Sequence, residues 1–305
     1  MSSRLQRFLL SILQTRSQQL YINAINNFKD EIGLRQVSWD SFSEEERDIF
    51  LAEYVIDVKE SGGRRQACQI LCAALHKIRP RDTYVITRKT LEAWKAEEPI
   101  RQAPACPAEI AYALVATSLA IRQPALAAAI LLCFTGLLRC SEALALRWQD
   151  LIFTENVVIL LLGRTKRGLD QKVVLSHPNT CAWLRQYSQQ FRTTSLEKVC
   201  PLSYSKLRYW LPKLCKSLQL ESLALTSHSF RRGGASTLLH HGMSIADIAV
   251  QGRWASESSC REYLRRGEMF LLRFQASVNS TVWQKVLLLA KSIFVLLSQC
   301  SDNNS

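Results

Sequence analysis

The sequence predicts a mainly helical protein that carries one small β-hairpin, an α+β fold arranged as two domains. Apolar residues recur every three or four positions over most of the chain, which is the spacing of one helix face. Two β-rich runs, "VVILLLG" and "KVVLS", stand close together near the middle, as the strands of a hairpin do. The chain has 305 residues, 48% of them hydrophobic, so two domains can each bury a core.

The first predicted domain is helical and covers residues 1–97. Helical spacing runs through "RFLLSILQTRSQQLYINAINNF", "EEERDIFLAEYVIDVKES" and "RRQACQILCAALHKI". Ser43 precedes a run of glutamates, and a serine followed by acidic residues marks the start of a helix. Three prolines then fall within nine residues: Pro99, Pro104 and Pro107. This cluster predicts an interdomain linker over residues 98–107.

The second predicted domain covers residues 108–280 and contains both helices and the hairpin. "AEIAYALVATSLA" and "PALAAAILLCFTG" predict two helices, the second ending near Gly136, and "LLRCSEALALRW" predicts a short third helix. The two strands are separated by "RTKRGLDQ", which we interpret as a long turn. Helical spacing then returns and continues to about residue 272.

Residues 281–305 are predicted to form a C-terminal docking helix and tail. The run "VWQKVLLLAKSIFVLLSQC" is almost long enough to span a membrane, but Lys285 and Lys291 interrupt it. Its apolar residues fall at helical spacing: Val282, Val286, Leu289, Ile293, Leu296 and Leu297. Such a stripe is costly to leave in water. It can fold back on its own domain or dock on another protomer.

The charge and the N-terminus narrow the class of partner. The formal net charge is +13, which favours a polyanion such as nucleic acid, although a membrane surface would also attract it and a solvated basic surface needs no partner. The N-terminal run "FLLSIL" is too short for the apolar core of a secretion signal. We therefore expect an intracellular protein that does not bind a membrane.

Several kinds of chemistry are not indicated by the sequence. None of the ten cysteines forms a CxxC pair, and most stand in apolar runs, as buried thiols in a reducing compartment do. Cys68, Cys72 and His76 share one helix face, but no fourth zinc ligand is nearby, so we interpret them as a core-facing stripe. Phosphate-binding loops, HExxH and clustered carboxylates are missing. We expect no metal and no cofactor.

Cationic side chains are the first part of a candidate site. Arg139 lies at a helix entry marked by Gly136, where free N–H groups favour anions, and Glu142 is its natural partner at i+3. Lys166 stands at the tip of the predicted hairpin. Each has an ordinary alternative, because arginines are often salt-bridged and hairpin lysines are usually solvated.

Proton-transfer groups form the second part. His228 and Arg231 are three positions apart, so a helix presents both to one anionic group. Trp254 precedes Tyr263, a residue surrounded in sequence by arginines, and a tyrosine needs cationic activation to act as a nucleophile because its free pKa is near 10. Four arginines are candidate DNA contacts: Arg164, Arg232, Arg261 and Arg265.

In this order the signals resemble the tyrosine recombinase (phage integrase) family. That family carries an arginine in a "TGLRxSE" box, a lysine on a β-hairpin, His-x-x-Arg, a histidine or tryptophan, and then a tyrosine. "TGLLRCSEALALRWQDL" fits the first box, and the resemblance covers about residues 130–268. It implies six catalytic residues: Arg139, Lys166, His228, Arg231, Trp254 and Tyr263. Two departures are Trp254, where histidine is commoner, and Arg253, which stands between the glycine and the aromatic residue.

The resemblance also implies an activity and an assembly. Residues 1–97 would form the family's core-binding (SAM-like) domain, and a homo-tetramer on paired sites would cut and rejoin double-stranded DNA of a mobile element through a 3′-phosphotyrosyl bond. The protein would work with DNA, in the nucleus of a eukaryote or the cytoplasm and nucleoid of a bacterium. Two alternatives stay open: a catalytically retired DNA-binding protein, which an intact Tyr263 disfavours, and a type IB topoisomerase, which "HSFRRGG" disfavours.

Overall fold

The computed structural model describes residues 8, 10–11, 15–98, 103–165, 168–261, 263–264 and 279–302. It divides into two compact units, Met1–Arg101 and Gln102–Ser305. Most of the described residues are helical and a single three-stranded sheet lies in the second unit, so the predicted fold class is confirmed.

The first unit contains four described helices. They are α1 (Thr15–Leu34), α2 (Glu44–Glu60), α3 (Arg65–Ile78) and α4 (Val85–Glu97). The predicted start at Ser43 is confirmed: the Ser43 hydroxyl accepts from the backbone N–H of Glu46 at 3.2 Å, and the Glu46 carboxylate accepts from the N–H of Ser43 at 2.7 Å. This reciprocal pair is a capping box, which satisfies two N–H groups at the helix start.

A buried carboxylate in α2 caps α4 from a distance. The Asp48 carboxylate accepts hydrogen bonds from the N–H groups of Ile86 and Thr87 at 2.8 and 2.9 Å. Burial raises the pKa of Asp48, but the hydrogen bonds from Thr87 and Ile86 outweigh it and the pKa is lowered overall. The start of α4 is thus fixed to α2 by an ionised side chain.

Two residues of the predicted stripe on α3, Cys68 and Cys72, pack in the core of this unit, whereas the third, His76, is exposed. Cys68 is buried against Trp94 and Leu91, and Cys72 packs beside it. Burial raises the pKa of Cys68 to about 11 and that of Cys72 to about 12, so both stay as thiols at neutral pH. Both thiols are part of the packing of this unit.

The second unit contains helices before and after its sheet. The helices before the sheet are α5 (Ala108–Ala120), α6 (Pro124–Thr135) and α7 (Cys140–Ala143). The strands are β1 (Leu151–Phe153), β2 (Val158–Thr165) and β3 (Gly168–Leu175). The later helices are α8 (Pro178–Phe191), α9 (Tyr204–Ser217), α10 (Ser227–His240), α11 (Ile245–Gln251) and α12 (Ser280–Asp302).

The sheet differs from the prediction in two ways. It is antiparallel with the order β1-β2-β3, and β1 was not predicted because three residues are too few to show an alternating pattern. The prediction of a long turn is wrong, because β2 continues to Thr165 and β3 begins at Gly168. The pairing shifts register on both sides of Gly163, whose φ is +57°. The ends of β2 and β3 are polar and irregularly paired, so their sequence was mistaken for a turn.

The C-terminal helix α12 lies on its own unit. Val286, Ala290 and Ile293 are buried in the core of the second unit, and the helix packs against α5 and α8. Of the two arrangements expected for its apolar stripe, folding back in cis is the one present in this structure. No helix in the described part of the chain has both the length and the apolar character required to cross a membrane.

Candidate active site

A glycine pair brings α10 into direct contact with neighbouring backbone. A Cβ at Gly233 would lie 1.8 Å from the carbonyl oxygen of Cys106, and one at Gly234 would lie 1.9 Å from that of Phe134. No side chain fits at such distances, so only glycine permits this approach. The Gly-Gly step after the two arginines therefore sets how deep α10 lies against α6, and with it where Arg231 is held.

Arg231 is buried beneath the turn that follows α11. Its Nη1 donates to the carbonyl oxygen of Leu137 at 2.6 Å, its Nη2 donates to that of Gly252, and its guanidinium lies 4.5 Å from the ring centre of Trp254. Burial, with the charge of Arg139 as the next cause, lowers the pKa of Arg231 to about 10. None of the carboxylates among the described residues forms an ion pair with it. A buried cation with neutral partners is a site prepared for an anion.

Glu142 joins two further arginines. Arg139 is the N-cap residue of α7 and donates through Nη1 to Oε1 of Glu142 at 2.6 Å, while Arg253 donates through Nη2 to Oε2 at 2.6 Å. The backbone N–H of Arg139 also donates to Oε2, at 2.8 Å. Burial raises the pKa of Glu142, but the charge of Arg253 and the hydrogen bonds from Arg139 outweigh it, so the pKa is lowered. The carboxylate is therefore ionised and holds two guanidiniums.

Tyr263 lies against both the tryptophan and a third buried arginine. Its ring centre is 5.0 Å from that of Trp254, and the Arg232 guanidinium is 4.5 Å from the tyrosine ring. The hydroxyl is shielded from solvent and makes no hydrogen bond of good geometry within the described residues. Burial raises the pKa of Tyr263, and the charges of Arg231 and Arg232 act in the opposite direction. The phenol is neutral, with two cations placed to stabilise its anion.

The structure brings five of the expected residues together: Arg139, Glu142, Arg231, Trp254 and Tyr263. His228 lies in the first turn of α10, three residues before Arg231, and is exposed. Lys166 and Arg265 lie outside the described residues, as does the side chain of Arg164.

Two of the predicted DNA contacts have very different surroundings. Arg261 is exposed and pairs with Glu257 at 3.3 Å. Arg232 is buried, donates to the carbonyl oxygen of Ala103 and covers the tyrosine ring. Arg232 thus lies inside the site. It follows Arg231 directly in the helix, and consecutive positions of a helix lie on different faces.

The sequence interpretation gave no role to Arg253. It is buried and bonded to Glu142, and in the sequence it was visible only as an extra residue between Gly252 and Trp254. The available signal was a charged residue next to an aromatic residue of the predicted site. In the described part of the chain, no three histidine, cysteine or carboxylate side chains come together as a metal site would require.

Comparisons with known proteins agree on one family. The model of the phage integrase family matches residues 109–268, just over half of the chain. No curated protein matches the sequence. Among solved structures, the chain is similar to XerH site-specific recombinase bound to difH substrate before cleavage, with a TM-score of 0.59 and 16% identity over 91% of this chain and 84% of that one.

Two further structures have the same fold. One is a lambda integrase dimer bound to a COC′ core site, with a TM-score of 0.57 and 13% identity over 86% of this chain and 93% of that one. The other is the Tn1549 transposon integrase in complex with transposon right end DNA, with a TM-score of 0.54 and 17% identity over 84% of this chain and 98% of that one. Together with the family-model match, these likenesses show that the chain belongs to the phage integrase family, the tyrosine recombinases.

Proposed function

We propose that this chain is a site-specific recombinase or integrase that cuts and rejoins double-stranded DNA through a covalent bond between Tyr263 and a 3′-phosphate. The observation that carries the proposal is the burial of the Tyr263 hydroxyl beside guanidiniums whose charge is only partly balanced. Arg139 and Arg253 share one ionised Glu142, and Arg231 forms no ion pair with a carboxylate among the described residues. A phosphodiester would supply the missing negative charge, and the tyrosine oxygen would supply the nucleophile.

The proposed reaction balances without ATP. The Tyr263 oxygen attacks phosphorus, the bond from phosphorus to the 5′ oxygen breaks, and the reverse attack by a 5′-hydroxyl restores the DNA. Arg139 and Arg231 stabilise the charge that develops on the phosphate oxygens, and each such preorganised donor contributes on the order of 3 kcal/mol to the transition state.

Protons move at both ends of this displacement. Because the pKa of Tyr263 is raised in the free protein, the phenol must lose its proton during attack, and we assign His228 to assist there. Lys166 would give a proton to the departing 5′ oxygen. The indole N–H of Trp254 can only donate, so its role is to bind phosphate and to pack on Arg231 and Tyr263.

The DNA partner is supported by charge and by the proteins that share the fold. The net charge of +13 suits a polyanion, and the similar XerH, lambda and Tn1549 structures were solved with DNA. We assign residues 1–97 as a core-binding domain, 98–107 as the linker and 108–280 as the catalytic domain. The transposon integrase among these proteins favours a mobile element, whose integrase would act where the host keeps its DNA.

The proposal is tested by sequencing the DNA that the protein traps. Cells expressing the tagged chain are lysed in denaturant, and DNA attached to the protein is recovered and sequenced. We expect ends that recur at a small number of related sequences. Binding without any covalent DNA would favour the retired DNA-binding protein. Adducts without sequence preference, accompanied by relaxation but no strand exchange, would favour a type IB topoisomerase.

We predict that cleavage does not require a metal ion. Arginine, lysine and histidine supply every charge and proton in the proposed steps, so adduct formation on nicked suicide DNA should be unchanged in excess EDTA. The control is the same reaction with EDTA and saturating Mg²⁺, which also corrects for any effect on DNA structure. Loss of adduct in EDTA that Mg²⁺ restores would contradict a metal-independent mechanism.

We also propose that the active form on DNA is a homo-oligomer, a tetramer on paired sites. The similar lambda integrase is a dimer on its core site, and two such pairs would bring two DNA sites together. Native mass spectrometry on DNA with one site and with two sites is the measurement. We expect four protomers only when two sites are present, and monomers on both DNAs would contradict the prediction.

A further inference from the structure

Arg253 occupies a position that is costly for an arginine. Its side chain is only 5% exposed, and its backbone φ is +55°, in the left-handed region that favours glycine. The backbone of a non-glycine residue is strained there, and a buried guanidinium must also be paired. The contacts of Arg253 have to offset both costs.

Those contacts connect the turn after α11 to the start of α7. Arg253 donates through Nη2 to Oε2 of Glu142 at 2.6 Å and through Nη1 to the carbonyl oxygen of Gln251 at 3.2 Å. The two neighbouring residues of this turn also contact the site. The Gly252 carbonyl oxygen accepts from Arg231, and the Trp254 ring lies against Arg231 and Tyr263. Arg253 is thus the link between this turn and Glu142.

We propose that Arg253 is a positioning residue for the strand-transfer reaction: it shares Glu142 with Arg139, and so holds the Arg139 guanidinium in place without neutralising it. This inference rests on the proposed function, because it assigns the freed charge of Arg139 to the scissile phosphate.

The sharing of one carboxylate decides how much charge reaches the phosphate. Glu142 gives one oxygen to the Arg139 guanidinium and the other to Arg253, so this three-residue group is net positive. Without Arg253 both oxygens are available to Arg139, and a bidentate pair of one arginine and one glutamate is neutral. The transition state would then meet less positive charge, although every residue of the predicted catalytic set would still be present.

The backbone of Arg253 allows an unusually clean variant. Glycine adopts a φ of +55° without strain, so Arg253→Gly removes the guanidinium and relieves the backbone at the same position. Arg253→Lys keeps a positive charge but loses the planar fork that reaches Glu142 and Gln251 together. Glu142→Gln removes the shared carboxylate and serves as the partner in a double-mutant cycle.

In single-turnover cleavage of suicide DNA, we expect Arg253→Gly to slow adduct formation by roughly tenfold to a hundredfold, as misplacement of a catalytic group does. Arg253→Lys should fall between this variant and the wild type. Once Glu142→Gln is present, Arg253→Gly should cause little further loss, because the two residues act through one contact. DNA binding should be the same in all four proteins.

A second readout does not depend on activity. Since the pKa of Glu142 is lowered in the folded state, Glu142 contributes stability above its unfolded pKa, and that stability is lost as the pH falls through the folded pKa. Arg253 and Arg139 face the carboxylate directly, and Arg231 acts on it from nearby. Removing Arg253 raises the folded pKa towards the unfolded value, so the loss of stability between neutral and acid pH should be smaller in Arg253→Gly than in the wild type and intermediate in Arg253→Lys.

The outcomes separate this inference from the proposed function. Wild-type cleavage by Arg253→Gly would overturn the positioning role. So would a slow variant that loses as much stability in acid as the wild type does and whose loss of rate adds fully to that of Glu142→Gln, because that pattern reports general damage. If the wild type itself forms no adduct, the proposed function fails and the positioning role fails with it. The size of the stability loss between neutral and acid pH would still decide whether Arg253 holds Glu142.

Discussion

Replacing Tyr263 by phenylalanine should remove all covalent protein–DNA adduct while the protein stays folded and still binds DNA. The variant loses one oxygen atom and keeps the ring that packs on Trp254 and beneath Arg232. Because the buried hydroxyl makes no hydrogen bond of good geometry within the described residues, its removal should cost little stability. A denaturing gel of the reaction with nicked suicide DNA measures the adduct, and thermal unfolding measures the fold.

Tyr187→Phe is the matched control. Tyr187 is also buried, but its hydroxyl donates to the carbonyl oxygen of Val199 at 2.9 Å in the core, away from the arginines. This variant should lose on the order of 1 kcal/mol of stability and still form the adduct. Tyr263→Phe should therefore lose the adduct and keep its stability, whereas Tyr187→Phe should lose stability and keep the adduct. Adduct that survives in Tyr263→Phe would show that another residue is the nucleophile.

Local spacing in the sequence was enough to predict the short-range parts of the site. Glu142 follows Arg139 by three positions at a helix start, and the structure shows both the backbone and the side-chain bond that this spacing allows. The end of α6 was also predicted locally, because Gly136 directly follows its last helical residue. Periodicity also identified the long helices, because each buries one face against its own unit.

Contacts between distant parts of the chain were not predictable from spacing. Arg231 bonds to Leu137 across 94 positions, and Arg253 bonds to Glu142 across 111. Only the resemblance to a family brought Arg139, Arg231 and Tyr263 into one site, and Arg253 has no counterpart in the pattern that we used. A charged pair of this kind leaves no periodic trace in the sequence, so the fold has to be known before the pair is seen.

Arg232 illustrates a second limit. Helical spacing places consecutive residues on different faces, so it gives no reason to expect both Arg231 and Arg232 inside the site. The structure agrees that the faces differ, since Arg231 reaches Leu137 and Gly252 whereas Arg232 reaches Ala103 and Tyr263. Both side chains are nevertheless buried, because α10 is covered on more than one side. Burial on two faces is decided by the packing of the unit and not by the helix itself.

The second large effect is expected on the cleavage rate when either of two site arginines is removed. Arg231→Ala and Arg139→Ala should each slow cleavage by roughly a hundredfold or more, because each removes a preorganised cation from the phosphate. Arg185→Ala is the control for charge and for hydrogen bonding. Arg185 also donates to two backbone carbonyl oxygens, those of Thr154 and Glu155, but it lies on α8. Its loss should leave the cleavage rate close to that of the wild type.

The loss of cleavage rate in Lys166→Ala, unlike that in the arginine variants, should be rescued by a substrate with a better leaving group. If Lys166 protonates the departing 5′ oxygen, a substrate with sulfur at that position needs little protonation and should restore most of the lost rate. The same substrate should not rescue Arg139→Ala or Arg231→Ala, because the charge on the other phosphate oxygens still lacks its partner. Single-turnover rates on the oxygen and sulfur substrates give the comparison. Equal rescue of the arginine variants, with none for Lys166→Ala, would reverse these assignments: the arginines would then act on the leaving group, and Lys166 on the charge of the transition state.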